Sequence, residues 1–209
     1  FTPKQYLFGN KDAWDPFATP PKGVAYEWTH PPLAKEFMAA SMFITKSTDA
    51  WAWRLPGAIL GILSVYLIYL LGLEIFQNKK VGLIASFIFA IDGLNFVQSR
   101  TGMNDIYFVT FMLISLLFFL RKNFFLSAIF FGLSITSKWA AVYILAIYLI
   151  LLFKNRQLPK LIFFLIVPLV VYLLFHIPYF LSGYNFSQFL ELQNQMWWYN
   201  TTLKATHTY

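Results

Sequence analysis

The sequence predicts an all-α fold, a polytopic transmembrane helical bundle with an external loop that carries short interfacial helices. Three observations predict it. Hydrophobic residues fill 58% of the 209 positions and charged residues 12%, with 24 Phe, a balance outside the usual range of soluble domains. From Leu55 onward, apolar runs that approach the roughly 20 residues of a bilayer crossing recur along the chain. The cations fall in short clusters between those runs, which is how membrane topology is written into a sequence. The formal charge of +7 therefore does not mark a nucleic-acid-binding face, and no nucleic acid is expected as a partner. Cysteine is absent, which excludes a disulfide framework and a thiolate metal site.

Residues 1–53 read as a first external loop: polar, proline-bearing, with five Lys (4, 11, 22, 35, 46) balanced by five acids (12, 15, 27, 36, 49). Thr29 and His30 precede Pro31 and Pro32, which suits a helix start because proline in the first turn loses no needed hydrogen bond. An interfacial helix is expected over about 32–46, with Leu33, Phe37, Ala40, Ser41 and Ile44 on the membrane face and Lys35, Met42 and Lys46 turned away. Six spans follow at about 55–76, 81–98, 103–120, 123–137, 139–153 and 161–181. The short ones require tilt, flanking residues or a thinned bilayer. Residues 182–209 read as the start of a further external loop, with two glycosylation sequons at Asn185 and Asn200. The chain begins at Phe1 and stops at Tyr209 in a polar, aromatic stretch, so both ends are expected to be cuts inside a longer protein.

Lys79 and Lys80, Arg121 and Lys122, and Lys154, Arg156 and Lys160 occupy alternate connections with no acid among them. The positive-inside pattern makes these connections cytoplasmic. The remaining connections then face outside together with residues 1–53. That assignment brings His30, Lys35, Arg54, Asp92, Arg100, Asp105 and Lys138 to one surface, although only the cytoplasmic clusters were used to obtain it.

Ionisable groups near a span are costly, and those present invite a function. Arg54, Arg100 and Lys138 stand at the outer ends of different spans, at the depth of a lipid-linked phosphate, which arginine grips in a bidentate way and lysine as a point charge. The plainer reading has Arg54 snorkelling and Arg100 paired with Asp105 or Asp92. Asp105 either supports a site or caps the helix it begins. His30 and Lys35 are site residues or interface anchors, and Asp92 is a site residue or a structural partner. His176 reads as a satisfied core histidine. Trp198 and Tyr199 suit either a sugar-binding surface or an aromatic belt. No pair of His or carboxylates has helical ligand spacing, so no metal site is expected.

Several strings together resemble the protein O-mannosyltransferase family, a branch of the GT-C membrane glycosyltransferases. YEWTHPPLAKEFMA (Tyr26 to Ala39) is similar to the family's His-Pro-Pro-Leu-Ala/Gly-Lys motif, and RLPGAILGIL from Arg54 to its second span. IDGLNFVQSRTGMNDIYF (Ile91 to Phe108) is similar to its connection between the third and fourth spans. GLSITSKWAAVY (Gly132 to Tyr143) resembles its Ser-Lys-Trp element. LQNQMWWYNTTLKATHTY resembles the bacterial segment after the seventh span, with Asn200 close to where a His usually stands.

The resemblance implies a GT-C-like bundle that transfers mannose, with inversion, from a polyprenyl-phosphate carrier to Ser or Thr hydroxyls of secreted or membrane proteins. The site would face outside at a prokaryotic plasma membrane, or the lumen at an endoplasmic reticulum membrane. It implies no cofactor beyond the lipid-linked donor. It also implies a catalytic Asp-Glu pair, absent from this sequence and expected a few residues before Phe1, with His30 and Asp105 supporting and Arg54, Lys138 and Arg100 on the donor phosphate. Two alternatives remain: a GT-C enzyme using another lipid-phosphate sugar or a lipid or glycan acceptor, and a transporter subunit. The transporter would place broken helices and charges at the bilayer midplane, whereas these charges sit near span ends.

Overall fold

The computed structural model describes residues 2–202, and these form helices and turns with no strand. Phe1 and residues 203–209, the last part of the expected further loop, lie outside them. A short helix α1 (Thr2–Leu7) and a 3-10 turn (Lys11–Trp14) precede α2 (Leu33–Thr45), which starts directly after Pro32 and ends where Lys46 turns into the left-handed region at φ 52°. Helix α2 buries Leu33, Ala34, Lys35, Met38, Ser41 and Met42, while Ile44 is 77% exposed. This corrects the expected membrane face. The helix is packed between α1 and α3 (Ala50–Phe76), so two protein partners set its buried stripe in place of one lipid plane.

Pro56 lies inside α3 and cannot donate to the carbonyl four residues earlier. That carbonyl, on Ala52, accepts instead from Ser41 Oγ of α2 at 2.6 Å. The bond is buried and fixes α2 to the start of α3. Along α3, small residues admit close neighbours. A Cβ on Gly57 would lie 3.0 Å from Ser99 O, and one on Gly72 would lie 2.7 Å from Gly82 Cα.

The expected span over 81–98 is two helices, α4 (Lys79–Ile91) and α5 (Gly93–Arg100), bent by 60°. The cause is Asp92, whose extended backbone ends α4 and whose Oδ2 accepts from Asn95 N at 2.8 Å to cap α5. Helices α6 (Asn104–Leu120) and α7 (Phe124–Ser137) form a tight hairpin. At its middle, Ser115, Ser127 and the Tyr148 hydroxyl satisfy one another in an otherwise apolar layer. The stretch from 139 opens as a 3-10 turn (Trp139–Tyr143) before α8 (Ile144–Lys154). Helix α9 (Leu161–Leu174) is followed by α10 (Ile177–Leu181). Helix α11 (Phe186–Thr202) begins with a reciprocal cap, Asn185 Oδ1 accepting from Gln188 N and Gln188 Oε1 from Asn185 N.

By length and composition, Ala50–Phe76 and Leu158–Leu181 are each able to cross a bilayer, and the bent α4–α5 pair makes a third. Three shorter apolar helices accompany them. The outward faces of α3, α4 and α9 show Ile59, Ile62, Phe87, Ile88, Leu165 and Leu169, a surface suited to lipid. The chain is an all-α membrane protein.

Candidate active site

Helices α4 and α5 run antiparallel to α3, and α6 runs parallel to it. Ser99 of α5 meets Gly57 and Gly61 near the start of α3, whereas Gly82 of α4 meets Gly72 near its end. The starts of α3 and α6 lie together, since Ile106 reaches Gly57, and their ends are tied by Arg121 Nε donating to Glu74 Oε2 at 3.1 Å. Arg54, Arg100, Asp105, Lys138 and the first loop therefore share one end of the bundle. Glu74, Lys79, Lys80 and Arg121 share the other.

At the first end the charged groups form three neighbourhoods. Arg54 and Arg100 line one recess with Phe96, Val97 and Thr101. The guanidiniums rest on aromatic rings, Arg54 4.6 Å from the Trp53 centroid and Arg100 4.8 Å from that of Phe96. Among the described residues neither has an ion-pair partner. The expectation that Arg100 pairs with Asp105 or Asp92 is corrected, because Asp92 caps α5 and Asp105 is taken by Lys138.

In the second neighbourhood Lys138 Nζ donates to Asp105 Oδ1 at 2.8 Å. Lys138 follows the last residue of α7 with an extended backbone, φ −160°, that turns it toward the first turn of α6. Lys138 is thus a paired cation, and its Nζ also lies 5.9 Å from the centroid of the Phe108 ring. Asp92 and Asp105 both border a groove of mainly apolar lining, with Leu94, Ile106, Phe108 and Val109.

The third neighbourhood joins the first loop to α9 and α11. Lys35 is 3% exposed and spends its ammonium on Glu27 O at 2.8 Å, His30 O at 2.7 Å and Glu27 Oε2 at 2.8 Å. It clamps the loop from within, so the reading of Lys35 as an interface anchor is corrected. Burial by itself raises the Glu27 carboxyl, but the Lys35 charge and hydrogen bond, together with the Thr29 hydrogen bond and the His30 charge, outweigh it and leave Glu27 below its ordinary range. Burial lowers His30, with the charges of Lys138 and Lys35 adding to it and Glu27 opposing. His30, Lys35, Trp28 and Tyr6 then line a small recess with His176. His176 is fully buried, with Nδ1 on Tyr172 O at 2.7 Å and Nε2 without a partner among the described residues. The expected satisfied histidine is thus only half satisfied.

Helix α11 closes this end. Tyr199 packs edge-on against Trp28 at 5.6 Å, and Asn200 Nδ2 donates to Thr29 O at 3.0 Å. Trp198 is 58% exposed and stands apart from these neighbourhoods. Glu36, which sequence reasoning passed over as one more loop acid, has a buried Oε1 with no partner among the described residues and borders a recess with Tyr6, Asn10, Trp14 and Ser182. Its only signal in the sequence is its place beside Lys35 at the start of an expected helix.

Residues 29–181 match the model of the dolichyl-phosphate-mannose-protein mannosyltransferase family. The chain belongs to that family. A polyprenol-phosphate-mannose--protein mannosyltransferase of Mycolicibacterium smegmatis is 33% identical over 82 residues, covering 39% of this chain and 16% of its own length. One of Corynebacterium glutamicum is 27% identical over 149 residues, covering 57% of this chain and 28% of its own. A dolichyl-phosphooligosaccharide-protein glycotransferase 2 of Archaeoglobus fulgidus is 30% identical over 114 residues, covering 53% and 19%. This member of the mannosyltransferase family thus spans well under a third of the length of these relatives. No solved structure gives a significant match.

Proposed function

We propose that the chain is part of a membrane glycosyltransferase that moves mannose, with inversion, from a polyprenyl-phosphate carrier to Ser or Thr hydroxyls of proteins at the outer face. The observation that carries this is the pair of guanidiniums, Arg54 and Arg100, on one recess at the end of the bundle that also holds the family's His-Pro-Pro loop. A phosphate leaving group departs without protonation, so what it asks of the protein is fixed positive charge. Two arginines on aromatic platforms supply that charge with little reorganisation. Lys138, anchored by Asp105, adds a third cation from a different helix. The acceptor hydroxyl needs one carboxylate to orient or deprotonate it, and the Asp-Glu pair of the family resemblance fills that role. His30 and Asp105 shape the surroundings, and Tyr199 and Asn200 of α11 close the site against Trp28 and Thr29 of the first loop.

The six-crossing topology is part of the proposal, with residues 1–53 outside and the Lys79, Arg121 and Lys154 clusters inside. The charge alternation supports it. The test is transfer of radiolabelled mannose from polyprenyl-phosphate-mannose to a Ser/Thr peptide by the full-length protein in liposomes. Labelled peptide is the expected product, and a folded full-length protein that makes none contradicts the reading. The similarity to the archaeal glycotransferase favours one second reading, a related enzyme with a different lipid-linked sugar. Label appearing only with another lipid-phosphate sugar distinguishes it.

A further inference from the structure

Tyr6 and Trp14 stack with centroids 4.0 Å apart and planes within 9°, and this stacked pair is a wall with a recess on either side. One side is the small recess of His30, Lys35 and His176. The other is larger, about 370 Å³, and is lined by Tyr6, Asn10, Trp14, Glu36, Pro178 and Ser182. That volume falls in the range of small-ligand clefts, roughly 300–1,000 Å³. No cation lines it, so it is not a phosphate site. Its lining combines aromatic faces, one amide, two residues with hydroxyls (Tyr6 and Ser182) and a carboxyl whose Oε1 is buried without a partner among the described residues. A buried polar atom left unpaired is costly, and a ligand that supplies the partner recovers that cost.

We propose that this recess is the acceptor subsite, in which Glu36 hydrogen-bonds an uncharged hydroxyl of the acceptor polypeptide while the Tyr6–Trp14 wall packs the neighbouring chain. The assignment rests on the mannosyl-transfer reading above. Its elements, α1, the 3-10 turn, α2 and α10, differ from those that carry the Arg54–Arg100 recess, so acceptor and donor are held by separate parts of one end of the bundle. Burial pushes the Glu36 carboxyl up to about 8, against the opposing charge of Lys35. Glu36 is then a neutral hydrogen-bond donor at neutral pH. The titratable groups that bear on it are Lys35 on its own helix and the Tyr6 hydroxyl of α1. The recess residues from the 3-10 turn, from α10 and from its C-terminal cap, Trp14, Pro178 and Ser182, carry no titratable group.

The experiment measures peptide binding by fluorescence anisotropy, and separate KM values for peptide and for donor, in the full-length enzyme. Glu36→Ala should raise the peptide Kd and KM about tenfold and leave the donor KM unchanged. Glu36→Gln, which keeps a donor group, should stay within about twofold of wild type. Wild-type peptide affinity should fall as pH rises past about 8, and that of Glu36→Gln should not. Ala39 of α2 also lines the recess, so Ala39→Leu narrows it while keeping a strong helix former, and should weaken peptide alone. An unchanged peptide Kd in Glu36→Ala and Ala39→Leu, or a shift in donor KM alone, overturns the inference. If the wild-type protein binds peptide through Glu36 but transfers no mannose, the functional reading fails and the subsite stands.

Discussion

Lys138 Nζ lies 2.8 Å from Asp105 Oδ1, tying the end of α7 to the first turn of α6 across 33 positions of sequence. Both side chains are about one-quarter exposed, so water screens the pair. Lys138→Ala should therefore cost no more than about 1 kcal/mol of stability, yet raise the donor KM about tenfold through loss of a cation beside the leaving phosphate. Unfolding in detergent and donor KM, measured on the same preparations, check both halves. A large stability loss with an unchanged KM makes Lys138 purely structural.

Lys35 behaves in the opposite way. Its ammonium is buried and bonded to Glu27 and His30, so Lys35→Met strands two backbone carbonyls and a carboxylate. A loss of about 2–3 kcal/mol is expected, read as a lowered Tm. A variant as stable as wild type would show that the loop does not depend on this clamp.

Close helix contact gives a third expectation. A Cβ on Gly132 would sit 2.8 Å from Val171 Cβ and 2.9 Å from Pro168 Cα, so Gly132→Ala must push α7 from α9 at a cost of about 1–3 kcal/mol. Gly93, with nothing within 4 Å of its would-be Cβ, is the control. Its alanine variant should stay within about 0.5 kcal/mol of wild type.

The pH dependence of stability has two opposed contributions. Glu36 has a raised folded pKa, about 8. The folded state therefore binds more protons than the unfolded one between 4.5 and 8, and stability is lost as pH rises through that window. His30 is lowered by burial, so the unfolded state binds the extra proton and stability is lost as pH falls below 6.5. Tm measured against pH should lose its decline between about 4.5 and 8 in Glu36→Gln, and its decline on the acid side of 6.5 in His30→Gln. Unchanged profiles would mean that neither group titrates differently in the folded state.

The sequence made some of this legible for physical reasons. A chain so apolar has few places to put charge, and the alternation of cationic clusters was enough to gather Arg54, Arg100, Asp105 and Lys138 at one end. The break at Asp92 also had a local signal, an acid beside Gly93 within an apolar run. Pairing was not legible: nothing in the spacing says that Lys138 takes Asp105 and leaves Arg100 to Phe96. The face of α2 was misjudged because burial there depends on α1 and α3 together. Glu36 was overlooked because a loop acid ordinarily points to water, and only the fold shows that this one does not.

The central claim is that two guanidiniums from α3 and α5 hold the phosphate of a lipid-linked sugar. Equilibrium binding of radiolabelled polyprenyl-phosphate-mannose to the full-length protein tests it most directly, comparing wild type with Arg54→Ala, Arg100→Ala and Arg54→Lys. Each alanine variant should weaken binding about tenfold or more, and lysine at position 54 should restore little of it because a point charge lacks the fork. Wild-type affinity in both alanine variants, with the fold intact, would contradict the account.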